Sequence, residues 1–261
     1  MAASPGQKMQ HEPQFIDGPN GRIAYRKTDR KDTSPDTGIV WLGGFRSDML
    51  GTKARFLDRW AKQRGCAFLR FDYSGHGESD GKFEDGCIGE WAADALAAFD
   101  ALTEGPQVLV ASSMGAWIAT LVARQRPTRI AAIIFIAPAP DFTEMLMWPS
   151  LSATQREAIL RDGRLEQPSD YDEPEIITRK LIEDGRKHLV MNEPIPIFCP
   201  VRIIQGMEDD AVPYAHALAF AKLIDSGDVE ITLTKTGDHR LSTPADLERL
   251  AGILGKTLLP E

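Results

Sequence analysis

The sequence predicts an α/β fold, a doubly wound, mostly parallel sheet carrying a small helical cap. Three observations predict it. Short apolar runs alternate with amphipathic segments along most of the chain. Most of the runs are apolar over consecutive residues, which suits strands covered on both faces rather than strands with one wet face. One connection, from about Pro140 to Pro200, is far longer than the ~2–6 residues usual between strand and helix in such folds.

The strands come first in this argument. Gly38–Leu42 (GIVWL), Ala67–Phe71 (AFLRF), Gln107–Ala111 (QVLVA), Ile130–Ile136 (IAAIIFI), Val201–Ile204 and Val229–Leu233 form the series. Between them, Phe56, Leu57, Trp60 and Ala61 share a helical face, as do Trp91, Ala95, Phe99 and Leu102. Phe220 with Ile224, and Leu247 with Leu250 and Leu254, mark two helices near the C-terminus. Strand–helix alternation implies βαβ units. Gln14–Asp17 and Arg22–Lys27, split by Gly18-Pro19-Asn20-Gly21, read as a leading antiparallel hairpin.

The chain therefore divides into a loose tail over 1–14, a core over 15–139 and 200–261, and a helical insertion over 140–199. Within the insertion no sheet strand is expected, and Ser152–Asp162 and Pro174–Arg186 read as helices. An ordinary packing excursion is the alternative to a cap.

Composition narrows the functional classes. The 261 residues carry a net charge of −8, with 43% hydrophobic and 26% charged residues. Those proportions are globular. The acidic balance argues against a nucleic-acid partner and, more weakly, against stable membrane association. No run reaches the length of a membrane span. Cys66, Cys87 and Cys199 are scattered and odd in number, so reduced thiols are expected.

The chemistry centres on Ala111-Ser112-Ser113-Met114-Gly115, which ends a strand and opens a helix. Small residues two before and two after Ser113 allow the tight turn of a nucleophile elbow. Ser112 competes but is flanked by Val110 and Met114. A serine at a helix start is also a common N-cap, so the string by itself leaves both readings open. A serine nucleophile needs a base. Of five histidines, His239 lies after the last strand run, where the third member of a Ser–acid–His order belongs. His11 lies in the tail, His188 in the insertion and His216 in a helix, while His76 sits in a Gly-rich loop expected to be a structural turn. Glu208, Asp209 and Asp210 follow the penultimate run. Asp209 is the candidate acid and Asp210 a candidate helix cap. Gly43-Gly44-Phe45 follows the first core strand, so the Phe45 and Met114 N–H groups are the candidate oxyanion donors. Phe142 to Trp148 is greasy, and Met145 and Trp148 are the candidate substrate-binding residues, against the plainer reading that this run seals the cap.

With LGGF, FDYSGHGESDG, ASSMGAW, GMEDDAVP and GDHRLS in this order, residues 15–258 resemble the α/β-hydrolases. GTKARFLDRWA, RFDYSGHGESDG and SSMGAW resemble more closely the branch with the mitochondrial palmitoyl-protein thioesterase, also described as a mycophenolic acid acyl-glucuronide esterase. The resemblance implies a serine hydrolase cleaving thioesters or carboxylic esters, with Ser113, Asp209 and His239 as its triad. It implies a small-molecule or acylated-protein substrate and no cofactor or metal. A carbon–carbon bond hydrolase with the same triad and a non-catalytic ligand-binding relative are the alternatives. No presequence is visible, so a cytoplasmic location is expected. A mitochondrial one is the alternative if a presequence precedes these residues.

Overall fold

In the computed structural model, residues 12–31, 36–167 and 175–258 are described. Ten strands are seen among them: β1 (Gln14–Gly18), β2 (Gly21–Thr28), β3 (Gly38–Leu42), β4 (Phe68–Phe71), β5 (Gln107–Ser112), β6 (Ile130–Ile136), β7 (Arg164–Gln167), β8 (Glu175–Thr178), β9 (Val201–Gly206) and β10 (Val229–Thr234). Eight of them build one sheet in the order β1-β2-β4-β3-β5-β6-β9-β10. β1 and β2 form the leading antiparallel hairpin, and β2 also runs antiparallel to β4. Every other pairing in that sheet is parallel.

Helices α1 (Thr52–Arg64), α2 (Ile88–Leu102) and α3 (Met114–Gln125) connect the early strands. The chain then adds α4 (Trp148–Ser150), α5 (Ala153–Asp162), α6 (Arg179–Lys187), α7 (Tyr214–Leu223) and α8 (Pro244–Leu258). Alternate strand residues feed opposite layers, because strand side chains point up and down in turn. Val40, Leu42, Leu109 and Ala111 pack with α2 and α3. Ile39, Trp41, Val108 and Val110 pack with α1 and α8. Both faces are covered, as the unbroken apolar runs require.

The tail reading falls mostly outside the described residues, and Gln14 already belongs to β1. The insertion departs from expectation. It is not purely helical: β7 and β8 pair antiparallel, Arg164 with Thr178 through Gln167 with Glu175. The expected helix from Pro174 therefore begins only at Arg179, and Pro174 itself lies outside the described residues. Ile176, Ile177 and Thr178 are β-branched, which favours strand over helix. Thr178 then caps α6, accepting the Leu181 N–H at 3.1 Å. Ser152 caps α5 in a full capping box with Gln155.

Two buried carboxylates tie loops to this frame. Asp141, at the start of the insertion, accepts the N–H groups of Val190 and Met191 near its end, at 2.8–3.1 Å. Asp72, just past β4, accepts the N–H groups of Met49 at 2.6 Å and Glu78 at 2.9 Å. Gly77 has φ +48, and a Cβ there would stand 2.2 Å from the Asp72 carboxylate. The Gly-rich loop is thus wrapped around Asp72. His76 in that loop is buried, with its Nδ1 3.2 Å from the Ser74 carbonyl oxygen and its ring among Tyr73, Phe83 and Trp91. Burial pushes its imidazole down to about 4, against the raising effect of that carbonyl and of Asp48. It is neutral at ordinary pH and packs as part of the turn.

Candidate active site

Ser113 stands between β5 and α3 with φ 55 and ψ −120, a backbone conformation that costs energy for any residue with a Cβ. The flanking residues explain how the turn is made. A Cβ on Gly115 would lie 2.3 Å from the Leu42 carbonyl oxygen and 2.6 Å from that of Gly43. Only glycine lets α3 start this close to β3. Ala111 is fully buried in β5 and pairs with Leu42 of β3. The loop after β3 then passes beside the serine: a Cβ on Gly44 would stand 3.2 Å from the Ser113 Cβ.

Three separate loops bring three side chains into line. The Ser113 Oγ lies 3.0 Å from His239 Nε2, and His239 Nδ1 lies 2.9 Å from Asp209 Oδ2. Ser112, the competing serine, ends β5 as a buried residue and makes no such bond to His239. Asp209 is itself held. Its Oδ1 accepts the N–H groups of Ala211 at 3.0 Å and Val212 at 2.7 Å, and its Oδ2 accepts from the Gln205 amide at 3.1 Å. Burial alone would raise this carboxyl. The bonds from His239, Val212 and Gln205 outweigh burial and hold it below the ordinary value. Asp72, pushed up to about 6, and Asp141, also raised, are buried carboxylates without an imidazole opposite. Asp209 is therefore the one of the three kept ionised by a partner that can itself carry a proton.

One expectation about this region needs correction, and one residue was missed. Asp210 does not cap a helix: α7 begins at Tyr214, with Pro213 before it and no side-chain cap. Asp209 instead takes the N–H groups of the turn. Gln205 was not singled out from the sequence, although a polar residue inside the apolar β9 run was a visible signal. It is fully buried and faces the carboxylate.

A cavity of about 600 Å³ opens beside Ser113. Phe45, Met114, Phe142, Leu146, Met147 and Val212 give it an apolar lining, and His239 stands on its wall. The candidate oxyanion donors are thus next to the serine. The candidate substrate-binding pair is not on this wall. Met145 is 46% exposed, and Trp148 packs into the cap's own cluster of Leu151, Ile159, Ile177 and Ile182. Arg156 and Arg186 stack on the Trp148 ring. The cause is the helical phase. Thr143–Met147 winds as a π-helix, and in that wider turn Leu146 and Met147 face the cavity.

The cysteines take no part. Cys87 and Cys199 have thiols pushed up by burial to about 12 and about 11, and Cys66 is raised for the same reason. All three are free. Among the described residues no group of His, Cys, Asp and Glu side chains could hold a metal ion, and no helix is long and apolar enough to cross a membrane.

Comparison with known proteins agrees with this fold. The signature of the family described as serine aminopeptidase, S33, a hydrolase family, matches residues 34–180. The palmitoyl-protein thioesterase ABHD10, mitochondrial, of Bos taurus is 38% identical over 230 residues, covering 87% of this chain and 74% of that protein. This chain belongs to the α/β-hydrolase family. It is a serine hydrolase related to the ABHD10 thioesterases. The Homo sapiens ABHD10 protein is 36% identical over 239 residues, covering 90% of this chain and 76% of its own length. Among solved structures, a hydrolase of Agrobacterium vitis S4 superposes with a TM-score of 0.90 at 41% identity, covering 95% of this chain and 99% of that one. Mouse α/β-hydrolase domain-containing protein 10 superposes with a TM-score of 0.84 at 34% identity, covering 94% and 97%. The expected cytoplasmic location finds no support, since these thioesterases are named as mitochondrial.

Proposed function

We propose that this α/β-hydrolase cleaves acyl thioesters or carboxylic esters through Ser113, His239 and Asp209, by way of an acyl-enzyme. The observation that carries the reading is the 3.0 Å contact between Ser113 Oγ and His239 Nε2 at the wall of an apolar cavity. In the first step His239 Nε2 accepts the hydroxyl proton as Ser113 Oγ attacks the acyl carbon. Asp209 holds the Nδ1–H tautomer and stabilises the imidazolium that forms. The Phe45 and Met114 N–H groups receive the developing oxyanion, a contribution of ~2.7–4 kcal/mol for a donor of this kind. His239 then returns its proton to the leaving thiol or alcohol, and the acyl–Ser113 ester remains. In the second half a water gives its proton to His239 and attacks the acyl carbon, and His239 passes that proton to Ser113 Oγ as the acid leaves. The chain supplies its own nucleophile, base and oxyanion donors, so the scheme calls for no cofactor.

The acyl chain occupies the cavity lined by Phe142, Leu146 and Met147. The names of the relatives make S-palmitoylated protein the first substrate to test, with small acyl esters, acyl glucuronides among them, as the alternative. The same names favour a mitochondrial location. No nucleic acid or stable membrane association belongs to this reading. The test is labelling by a fluorophosphonate probe together with turnover of a palmitoyl thioester. Ser113→Ala is expected to lose both, and Ser112→Ala to keep much of both. Labelling that survives Ser113→Ala overturns the assignment.

A further inference from the structure

His239 rides on the loop between β10 and α8, and that loop is kinked directly behind it. Leu241, two residues on, has φ +44, a left-handed conformation that L-residues with a Cβ rarely adopt. A strained turn persists only where its surroundings hold it. One tie is internal: Asp238 Oδ1 accepts the Leu241 N–H at 2.9 Å. A second tie comes from far along the chain. Lys53, in the first turn of α1, donates its ammonium N–H groups to the Arg240 carbonyl and, at 3.3 Å, to the Ser242 hydroxyl. Ser242 in turn donates to the same Arg240 carbonyl at 2.9 Å. The residues one and three beyond His239 are thereby pinned to α1, and Leu241 is bracketed between them.

We propose that Lys53 is a positioning residue for His239: by clamping the loop behind it, the ammonium keeps the imidazole in line between Ser113 and Asp209. The inference rests on the triad reading above. Lys53 has the reach for this role because it and His239 border the same second cavity, of about 410 Å³, which also meets Ser113. A histidine with one face toward solvent has few other restraints. His239 keeps a third of its side-chain surface exposed, whereas the Asp209 side chain has none. A misplacement of 1 Å at a reacting group can cost about 10²-fold in rate, so a loose loop matters here even when the fold is intact.

The electrostatic setting gives the clamp a signature. Burial pushes the Lys53 ammonium down to about 8. Asp238 on the same loop and Asp246 on α8 oppose that shift, and Arg240 adds to it. Arg46 and Asp48, from the loop after β3, border the same cavity. As pH rises through about 8, Lys53 passes from ammonium to amine, and a charge-assisted bond becomes a neutral one of about half the strength. The clamp should then slacken as pH rises through about 8.

The experiment follows kcat and KM for a p-nitrophenyl acyl ester from pH 6 to pH 9.5 in the full chain, Lys53→Met, Lys53→Arg and Ser242→Ala. Circular dichroism and melting temperature are read for each. Lys53→Met is expected to lower kcat about tenfold at pH 7 with KM changed less than twofold. Its profile should lack the decline above pH 8 that is expected of the parent. Lys53→Arg, whose charge does not titrate in this range, should recover most of the rate and keep it to pH 9.5. Ser242→Ala should lose about twofold. A folded Lys53→Met enzyme with the parent's kcat and pH profile overturns the proposal. Should Lys53→Met fail to fold, a Lys53→Arg enzyme that still declines above pH 8 overturns it. Failure of the triad reading is separate: it appears as turnover retained in Ser113→Ala, whatever Lys53 does.

Discussion

The two walls of the cavity beside Ser113 are built on different principles. The wall formed by the sheet's loops is held by directional polar bonds. Ser113 is fixed by its elbow, and Asp209 accepts from Gln205, Ala211, Val212 and His239. The wall formed by the cap is held by apolar contact among Leu151, Ile159, Ile177 and Ile182, and by arginines laid on Trp148. Hydrogen bonds fix an atom's position within a few tenths of an ångström. Apolar contact is non-directional and scales with area. The first wall can hold reacting atoms in line, and the second can adapt to what fills the cavity. Substitutions on the sheet side should therefore cost rate, and substitutions on the cap side should change which acyl chain is preferred.

The largest effect is expected on the sheet side. Asp209→Asn should lower kcat by about 10⁴, the loss seen when another triad aspartate is so changed. Asp210→Asn, which removes neither a helix cap nor a bond to His239, should stay within about twofold. Steady-state kinetics of the two variants side by side check this, and a larger loss at Asp210 would reverse the roles. The sign of a pH effect follows as well. Because the folded Asp209 carboxyl lies below its ordinary value, its contribution to stability is complete above about 4 and is lost as pH falls through the folded value. Acid melting curves of Asp209→Asn should lack that part of the loss.

Where the walls meet, the effect should fall on stability. Asp141 joins both ends of the cap by accepting from Val190 and Met191. Asp141→Ala leaves the buried Val190 N–H without an acceptor, at ~1–3 kcal/mol, and frees the half-buried Met191 N–H as well. The melting temperature should drop, and amide exchange at Val190 and Met191 should accelerate ahead of exchange in β5. Equal acceleration in both would mean that the cap does not open separately from the sheet.

The same division decides what could be read from the sequence. The parallel strands were legible because they are covered on both faces, so nearly every residue in GIVWL or IAAIIFI is apolar. The elbow was legible because a close passage of backbones demands small residues at fixed offsets, as at Gly115. The hairpin β7–β8 was missed because β7 carries the exposed Arg164 and Glu166 around a single leucine, which looks like helix surface. The side chains turned toward the cavity were missed for a related reason. A run such as MLMW is apolar on every side, and its π-helical winding leaves no trace in the order of residues. The polar supports Asp141 and Lys53 act across long stretches of chain, and spacing along the sequence carries no information about such pairs.

The smallest effects should separate neighbours within the cap. Leu146 and Met147 border the cavity, and Met145, one residue earlier, is turned outward. Each methylene of an acyl chain that becomes buried against the first two should add up to ~0.8 kcal/mol of binding. The specificity constant of the parent should rise from acetyl to longer esters until the cavity is full. Leu146→Ala with Met147→Ala widens the cavity and removes contact area, so the slope per methylene should fall by roughly half while the acetyl ester is cleaved nearly as before. Met145→Ala should leave the slope unchanged, and its effect on stability should stay within about 0.5 kcal/mol, as for an ordinary surface position. The measurement is kcat/KM over a p-nitrophenyl ester series for the three proteins at equal folded fraction. A slope that responds to Met145 but not to Leu146 and Met147 would put the acyl chain on the outer side of the π-turn. The adaptable wall would then be the cap's surface rather than its cavity.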